Sequence, residues 1–467
     1  MMHFTPRARW AVTTCALLTS GLLLSGCHLT DQLLEPQNPG LIDPTAVQSP
    51  AAAMALKVGA MGQLRIIYTN CPGNECLWQE SGVLADEYKN SDFQNTRQDI
   101  DQRTITSNNP TLDYYAITQI RGYVRDGIAA MQQFLPDSTA DIGELYMALG
   151  FVEMSLAENY CNGIPLGHTT NGEVTLGPPL SDAEVFDSAS AHLDTALALA
   201  TGSDDGSVFV RRAALITKAR ILIDEGQYAA AAALVPTSAV PSTYQYVMET
   251  DPSNNNDDNG IWDLNNQIAR ITVSDSFDIV NGAKNVIQNA LPFVSAKDPR
   301  VPVASGDSVS PTVAPEDGST PEFVQLLWGR DDPVPLVSGI DARLIEAEAK
   351  LNASDIPGMM QILNDLRANP PAIGIYQPAA MPPLATPANQ VDATTLFFRE
   401  KAFWTFGRGQ RLSDLRRLVR QYQRPQEQVF PTGKYFKGGD YGTDVNFPVS
   451  DDELANPQFK GCTDRNA

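Results

Sequence analysis

The stretch ALITKARILIDEGQYAAAAALV, residues 214–235, decides the fold class of this chain. Small Ala219 lies seven residues before Gly226. Tyr228 and Val235 follow at offsets expected for the two helices of a tetratricopeptide repeat. This spacing predicts a pair of antiparallel helices.

A second stretch, DARLIEAEAKLNASDIPGMMQILNDLR at residues 341–367, repeats the pattern. Its second half places Ile356, Met359, Met360 and Leu363 on one helical face. Two such stretches in one chain indicate helix pairs that stack against one another.

Apolar residues recur at helical spacing in three earlier segments, 51–67, 112–134 and 142–160. Ser181 and Glu184 resemble a capping box, which predicts a helix that continues to about Ala200. We therefore predict a mostly α fold, in which tetratricopeptide-like helix pairs form a scaffold.

Residues 236–335 lack a helical period and are rich in Pro, Gly, Ser, Asn and Asp, which predicts a loop-rich insert with short strands. The pattern becomes helical again from residue 340 to about 421. These changes divide the chain beyond residue 50 into an N-terminal helical part at 51–235, the insert at 236–335, and a C-terminal helical part with a tail at 336–467.

The first 27 residues are typical of an exported protein. Two arginines precede an apolar run over residues 10–24, and a Ser-Gly pair then leads to Cys27. LSGC, residues 24–27, resembles the lipobox of bacterial lipoproteins, which implies lipid attachment at Cys27. We therefore expect a cleaved signal peptide at 1–26 and a lipidated N-terminus and tether at 27–50. An ordinary cleaved signal peptide with a coincidental cysteine is the alternative.

The charge of the chain limits the partners that it can have. Cleavage before Cys27 removes two of the 33 basic residues and none of the 55 acidic residues, so 31 minus 55 leaves a net charge of −24. Such a surface repels nucleic acid and anionic lipid head groups.

Four further cysteines remain after the signal peptide and Cys27 are set aside. In an exported chain these four indicate two disulfides. A turn sequence separates Cys71 from Cys76, so these two are expected to pair, which leaves Cys161 with Cys462. A zinc site with four thiolate ligands is the alternative.

Motifs for catalysis and for cofactors are absent from the sequence. His28, His168 and His192 stand in no metalloprotease pattern, and the chain has neither a nucleophile elbow nor a phosphate-binding glycine loop. A pair of carboxylates of the kind that glycosidases use stays open. We expect a protein that is not an enzyme and that carries no cofactor.

One acidic loop resembles part of a calcium site. NNDDNG, residues 255–260, offers oxygen ligands around Asp257, but the twelfth position of the motif is Asn266 instead of glutamate. A polar surface loop is the alternative interpretation, and the sequence leaves the choice open.

The C-terminal third carries a family resemblance. DARLIEAEAKL (341–351), FFREKAFWTFGRGQRLSDLRRL (397–418) and VNFPVSDDELANPQF (445–459) resemble, in order, the motifs of the SusD/RagB family of outer-membrane nutrient-binding lipoproteins. The resemblance implies a lipid-anchored protein of the outer membrane that faces the cell exterior. It also implies that the protein hands an oligomeric nutrient to a SusC-like, TonB-dependent transporter.

Candidate ligand contacts lie where the family binds its ligands, in the loops after the first helix and in the long middle segment. Sugar sites combine aromatic rings with side chains that make paired hydrogen bonds. The residues of this kind in the two segments are Trp78, Asp86, Tyr88, Arg97, Trp262 and Asn265.

The most direct interpretation is a receptor for a glycan. A peptide-binding member of the same family, a surface lipoprotein hydrolase and a scaffold for another protein are the alternatives. Two structural expectations accompany this interpretation. Trp328 and Trp404 are expected in the core, and the charged residues Arg399, Glu400, Arg408, Asp414 and Arg416 are expected to form ion pairs that hold the last helices.

Overall fold

The structure of the protein is a computed structural model that describes residues 48–69, 76–111, 114–170, 173–250, 258–280, 282–310 and 313–467. The predicted lipid attachment at Cys27, the thiol of Cys71 and the loop around Asp257 lie outside these ranges. Lipid attachment and the local disulfide therefore stay predictions, and the choice between a calcium site and a polar surface loop stays open.

Helices make up most of the regular structure in the described residues, as the sequence predicts. The fourteen α-helices in these ranges are α1 Pro50–Gln63, α2 Leu77–Ala85, α3 Asn95–Asp101, α4 Tyr114–Phe134, α5 Thr139–Asn159, α6 Asp182–Leu199, α7 Asp205–Asp224, α8 Tyr228–Leu234, α9 Gly260–Trp262, α10 Gly306–Val309, α11 Gly339–Asn352, α12 Ile356–Ala368, α13 Gln390–Trp404 and α14 Arg411–Arg420.

The pair α7 and α8 is the one that the opening stretch predicts. Gly226 lies in the turn with a φ of +75°, a conformation that glycine adopts without strain. Ala219 and Ala231 are fully buried where the two helices pack. The tetratricopeptide-like pairing is confirmed, and α11 with α12 repeats it.

Local capping explains where two helices begin. The Ser181 hydroxyl accepts from the Glu184 backbone N–H, and the Glu184 carboxylate accepts from the Ser181 backbone N–H at 2.8 Å. Ser338 and Asp341 form the same capping box at the start of α11. These boxes satisfy backbone donors that a helix leaves unpaired at its first turn.

The strands of the described residues are short and form two-stranded antiparallel sheets. They are β1 Tyr88–Asn90, β2 Ile164–Pro165, β3 His168–Thr170, β4 Glu173–Thr175, β5 Pro179–Leu180, β6 Gln245–Met248, β7 Ile271–Val273, β8 Phe277–Val280, β9 Ala283–Val286, β10 Val303–Ser305, β11 Phe323–Gln325 and β12 Val334–Ser338. The pairs are β1–β7, β2–β5, β3–β4, β6–β12, β8–β9 and β10–β11. Strands β6 to β11 lie within residues 236–335, where the sequence predicts short strands, and β12 begins at the end of that segment.

Buried ion pairs tie the C-terminal helices to the rest of the fold. Arg408 pairs with Asp341 at 2.7 Å, and Arg416 reaches Asp182 at 2.8 Å. The remaining pairs join Glu400 to Arg300 and Asp414 to Lys401. Four of the five expected residues therefore act as predicted.

Arg399 differs from these four. Its guanidinium lies 5.1 Å from the centre of the Phe403 ring, and no carboxylate of the described residues forms an ion pair with it. Trp328 and Trp404 are buried in the core, as predicted.

A disulfide joins Cys161 to Cys462 across 301 residues, with 5.8 Å between the two Cα atoms. This pairing is the predicted one, and it excludes these two cysteines from a four-thiolate zinc site. The local pairing of Cys76 with Cys71 stays a prediction because Cys71 is not described.

The described residues contain neither a candidate membrane-spanning helix nor a candidate metal site. None of their helices combines the length and the apolar character that a bilayer-spanning segment requires. In the same ranges, no three His, Cys, Asp or Glu side chains lie close enough together to hold a metal ion.

Candidate ligand-binding cleft

The two segments that the sequence singles out are neighbours in the structure. Strand β1 pairs with β7 in the register Tyr88 to Val273 and Asn90 to Ile271. The predicted N-terminal loop and the insert therefore meet. Most of the named side chains, however, point into the interior.

Trp78 and Asn265 serve the interior of the fold. Trp78 is 3% exposed, stacks on Tyr68 with 5.7 Å between ring centres, and lies so close to Gly409 that any side chain there would strike the indole. Asn265 is fully buried, and its amide donates to the Ile271 carbonyl at 2.8 Å. Trp78 therefore packs in the core, and Asn265 satisfies a backbone carbonyl.

The other three buried candidates are Asp86, Tyr88 and Arg97, each nearly inaccessible to solvent. The Asp86 carboxylate forms an ion pair with Arg411, the Tyr88 ring packs against Phe406, and Arg97 forms an ion pair with Asp92. Because these three side chains are buried against partners within the protein, they are not accessible to a ligand in this conformation. Direct ligand contact by any of them stays untested.

Two aromatic side chains near this junction are accessible. Trp262, the remaining candidate, is half-buried, and Phe93 is 69% exposed on the loop after β1. Phe93 therefore provides the more accessible ring in the region that the sequence predicts.

A second region offers a concave surface with sugar-binding chemistry. A cleft of about 390 Å³ lies between α4, the strands β2 to β5 and the short 3₁₀ helix Asp451–Ala455. This volume falls within the range that small-molecule sites occupy. Its lining consists of Tyr115, Thr118, Gln119, Arg121, Gly122, Tyr123, Asp126, Pro165, Gly167, His168, Thr175, Leu176, Gly177, Glu453 and Asn456.

One wall of the cleft is a stripe along α4. Tyr115, Gln119 and Tyr123 are spaced by four residues, which places them on one helical face, and Asp126 continues that face. Tyr115 is 62% exposed, and Tyr123 is half-buried. The offset of eight positions between the two tyrosines corresponds to about 12 Å along the helix axis.

The opposite wall is held by close backbone contacts. A Cβ atom at Gly177 would lie 2.7 Å from the carbonyl carbon of Leu166, so only glycine fits where the two segments cross. The Asn456 amide donates to the Gly177 carbonyl at 2.8 Å. Arg121 donates to the Gly167 carbonyl at 2.8 Å and thereby joins this wall to α4.

Glu153 fixes Arg121 from below the cleft. The Glu153 carboxylate is fully buried, accepts from Arg121 Nε at 2.9 Å and from the Ser188 hydroxyl at 2.8 Å, and lies 3.0 Å from Nδ1 of His192. Burial opposes its ionisation, but the His192 hydrogen bond and the Arg121 charge outweigh burial and lower its pKa. The Glu153 carboxylate therefore balances the charge of Arg121 and holds its side chain in place.

The remaining polar groups of the cleft are available. Within the described part of the chain, the side chains of Tyr115, Gln119, Tyr123, Asp126, His168 and Glu453 form no hydrogen bond. Burial raises the pKa of Tyr123, and the neighbouring Tyr115 adds to that shift. Burial likewise raises the pKa values of Asp126 and Glu453.

Such a surface can bind a hydroxylated ring. Tyrosine rings stack on the apolar C–H faces of a sugar, while amide, carboxylate and phenol groups hydrogen-bond its hydroxyls. The site is not among the candidates that the sequence indicates, because the apolar spacing of residues 112–134 predicts only a scaffold helix. The tyrosines at positions 115 and 123, on the polar face of that helix, were the available signal.

Comparisons with known proteins add evidence on the fold. No protein-family model and no curated protein sequence matches the chain. Solved structures do match. A laminarin-binding SusD-like protein is 15% identical with a TM-score of 0.60, and the match covers 89% of this chain and 99% of that one.

Two further structures agree. A SusD-like protein from Bacteroides fragilis is 14% identical with a TM-score of 0.57, covering 90% of this chain and 98% of that one. A SusD-like carbohydrate-binding protein from Bacteroides vulgatus is 16% identical with a TM-score of 0.52, covering 79% and 83%. This chain has the SusD-like fold.

Proposed function

We propose that the protein is a cell-surface lipoprotein of the SusD/RagB family that binds an oligosaccharide. The observation that carries this proposal is the cleft, which combines two accessible tyrosine rings with unpaired polar groups. Two SusD-like neighbours that are described as binding laminarin and carbohydrate support sugar as the ligand class.

The size of the site favours an oligomer over a single sugar. The spacing of about 12 Å between the two tyrosines along the helix exceeds the length of one monosaccharide. A ligand that contacts both rings therefore spans at least two sugar units. Because Tyr115 is 62% exposed at one end of the stripe, a longer chain can extend beyond the cleft.

The mechanism that we propose is capture and release without covalent chemistry. The lipid at Cys27 anchors the protein to the outer membrane, and the tether at 27–50 holds its body away from the bilayer. The protein then hands the bound oligosaccharide to a SusC-like, TonB-dependent transporter. The lipobox and the C-terminal motifs support these steps through their family resemblance.

Calorimetric titration tests the proposal on the chain from His28 onward. The ligands are hexasaccharides of glucose, mannose and galactose in several linkages, together with charged and neutral peptides. We expect binding of at least one hexasaccharide, and we expect Tyr115→Ala and Tyr123→Ala to weaken it about tenfold each, the equivalent of about 1.4 kcal/mol.

Phe93→Ala is the matched control because it removes a similarly exposed ring from the junction of β1 and β7. Unchanged affinity in this variant places the ligand in the cleft. Loss of affinity in Phe93→Ala alone assigns the ligand to the junction that the sequence indicates. Binding of peptides without binding of any hexasaccharide contradicts the glycan proposal.

A further inference from the structure

Two carboxyl groups of the cleft have no ion-pair partner. Asp126 lies at one end of the tyrosine stripe, and Glu453 lies on the opposite wall. Both are half-buried, and neither has a hydrogen-bond or ion-pair partner in the described ranges, although the charge of the adjacent Arg125 favours ionised Asp126. No ion pair or hydrogen bond among the described residues therefore accounts for their placement.

The positive charge in the lining is already satisfied. Arg121 is the one basic side chain other than His168 among the described lining residues. Arg121 is 4% exposed, and its guanidinium pairs with the buried Glu153 carboxylate and donates to the Gly167 carbonyl. Among the lining residues, an anionic ligand would thus meet two carboxylates and no unpaired guanidinium.

The consequence for a ligand follows from desolvation. Charges interact more strongly in a partly buried cleft than in open water, because the effective dielectric constant is lower. A carboxylate on the ligand would be repelled there, whereas sugar hydroxyls can donate hydrogen bonds to both acids. Repulsion of this kind creates specificity without adding affinity for the correct ligand.

We propose that the cleft selects uncharged oligosaccharides and rejects those that carry carboxylates, with Asp126 and Glu453 as the specificity-determining residues. This inference rests on the proposed function, because it specifies the ligand class of the same site.

The test compares ligands that differ only in charge. The probes are the glucose, mannose and galactose hexasaccharides and the same hexasaccharides with their C6 hydroxyls oxidised to carboxylates. We expect the oxidised form of whichever hexasaccharide binds to be at least about tenfold weaker at low ionic strength. The double variant Asp126→Asn, Glu453→Gln should recover most of that loss.

Asp137→Asn is the control, since it removes one exposed carboxylate just beyond α4 and outside the cleft. It should leave the ratio of neutral to oxidised affinity unchanged. A recovery in the control equal to that in the double variant overturns the inference, because it would assign the effect to net charge.

The remaining outcomes separate the two proposals. Equal binding of neutral and oxidised hexasaccharides overturns the selectivity while the sugar-binding proposal stands. Failure of every hexasaccharide to bind overturns both. Circular dichroism and a thermal melt establish that each variant is folded, so a loss of affinity is not mistaken for unfolding.

Discussion

At the scale of single residues, Glu87 is a buried carboxyl group with half of its hydrogen-bonding capacity satisfied. One oxygen accepts from the Gly407 backbone N–H at 3.0 Å, and the other has no partner in the described structure. Burial raises its pKa to about 8, and the neighbouring Asp86 carboxylate contributes to the shift. The side chain is therefore protonated at neutral pH.

This shift predicts a pH dependence of stability. Between pH 4.5 and about 8 the folded state holds a proton on Glu87 that the unfolded state has released, so the free energy of unfolding falls as the pH rises. Glu87→Gln removes this contribution. Urea denaturation at pH 6 and pH 9 should show a smaller loss of stability in the variant than in the parent protein.

Glu249→Gln is the matched control because Glu249 is exposed. It should retain the pH dependence of the parent protein. Part of the dependence persists in Glu87→Gln, since burial also raises the pKa of Glu322, to about 9. An unchanged difference between pH 6 and pH 9 in Glu87→Gln would show that Glu87 is ionised in the folded state at both pH values.

The pair Arg121 and Glu153 gives a second prediction at this scale. Glu153→Ala leaves a buried guanidinium without its carboxylate, which costs about 3–5 kcal/mol when a buried pair is broken. It should also weaken sugar binding, because Arg121 holds the Gly167 wall of the cleft.

A double-mutant cycle with Arg121→Met measures the coupling between the two side chains through the free energies of unfolding. The double variant should be more stable than Glu153→Ala. Additive losses would show that the pair is not coupled.

At the scale of elements, Gly177 allows two segments of the cleft wall to cross, because its backbone lies against that of Leu166 and Gly167. Gly177→Ala should lower the free energy of unfolding by about 1–3 kcal/mol, since the new methyl group meets backbone atoms of Leu166 and Gly167 that cannot move aside easily. It should also weaken sugar binding by displacing the wall. Thermal denaturation and calorimetric titration measure the two effects.

Gly59→Ala provides the comparison, because a Cβ atom there meets nothing within 4 Å and Gly59 lies within α1. This substitution should stabilise the protein by roughly 0.5–1 kcal/mol, since alanine favours a helix over glycine. Equal effects of the two substitutions would contradict the steric argument at Gly177.

Helices were predictable from the sequence because their signals are local. The apolar spacing of residues 341–367, the Ser181 capping box and the glycine at 226 each act within a few residues. Strand pairing such as β1 with β7 joins residues about 180 positions apart, and no local pattern specifies such a register. The insert could therefore be predicted only as loop-rich with short strands.

The site was harder to predict than the fold for a related reason. An aromatic residue such as Trp78 can pack inside or face solvent, and the choice depends on a distant contact, here with Gly409. The sequence located two segments that do meet, but it could not show that their rings point inward. The sequence does not indicate Tyr115 as a ligand contact, because its helix has a buried apolar face that explains the pattern without a binding site.

At the scale of the whole molecule, the disulfide constrains most of the chain. Cys161 and Cys462 close a loop of 301 residues, so their bond removes much conformational freedom from the unfolded state. Replacing both with serine should lower the free energy of unfolding by about 2–5 kcal/mol under oxidising conditions. Urea denaturation measures the change.

Reduction of the parent protein with dithiothreitol should approach the stability of the double serine variant. Addition of dithiothreitol to the variant should change little, provided that no other disulfide contributes strongly. Equal stability of parent and variant under oxidising conditions would show that this bond does not stabilise the folded state.

A crystal structure of the protein with the tightest-binding hexasaccharide would test most directly whether the ligand binds where we propose, between α4 and the wall formed by β2 to β5. We expect sugar rings against Tyr115 and Tyr123, with hydroxyls directed at Asp126 and Glu453. A hexasaccharide bound at Phe93 or Trp262, with no sugar in the cleft, would refute the proposed site.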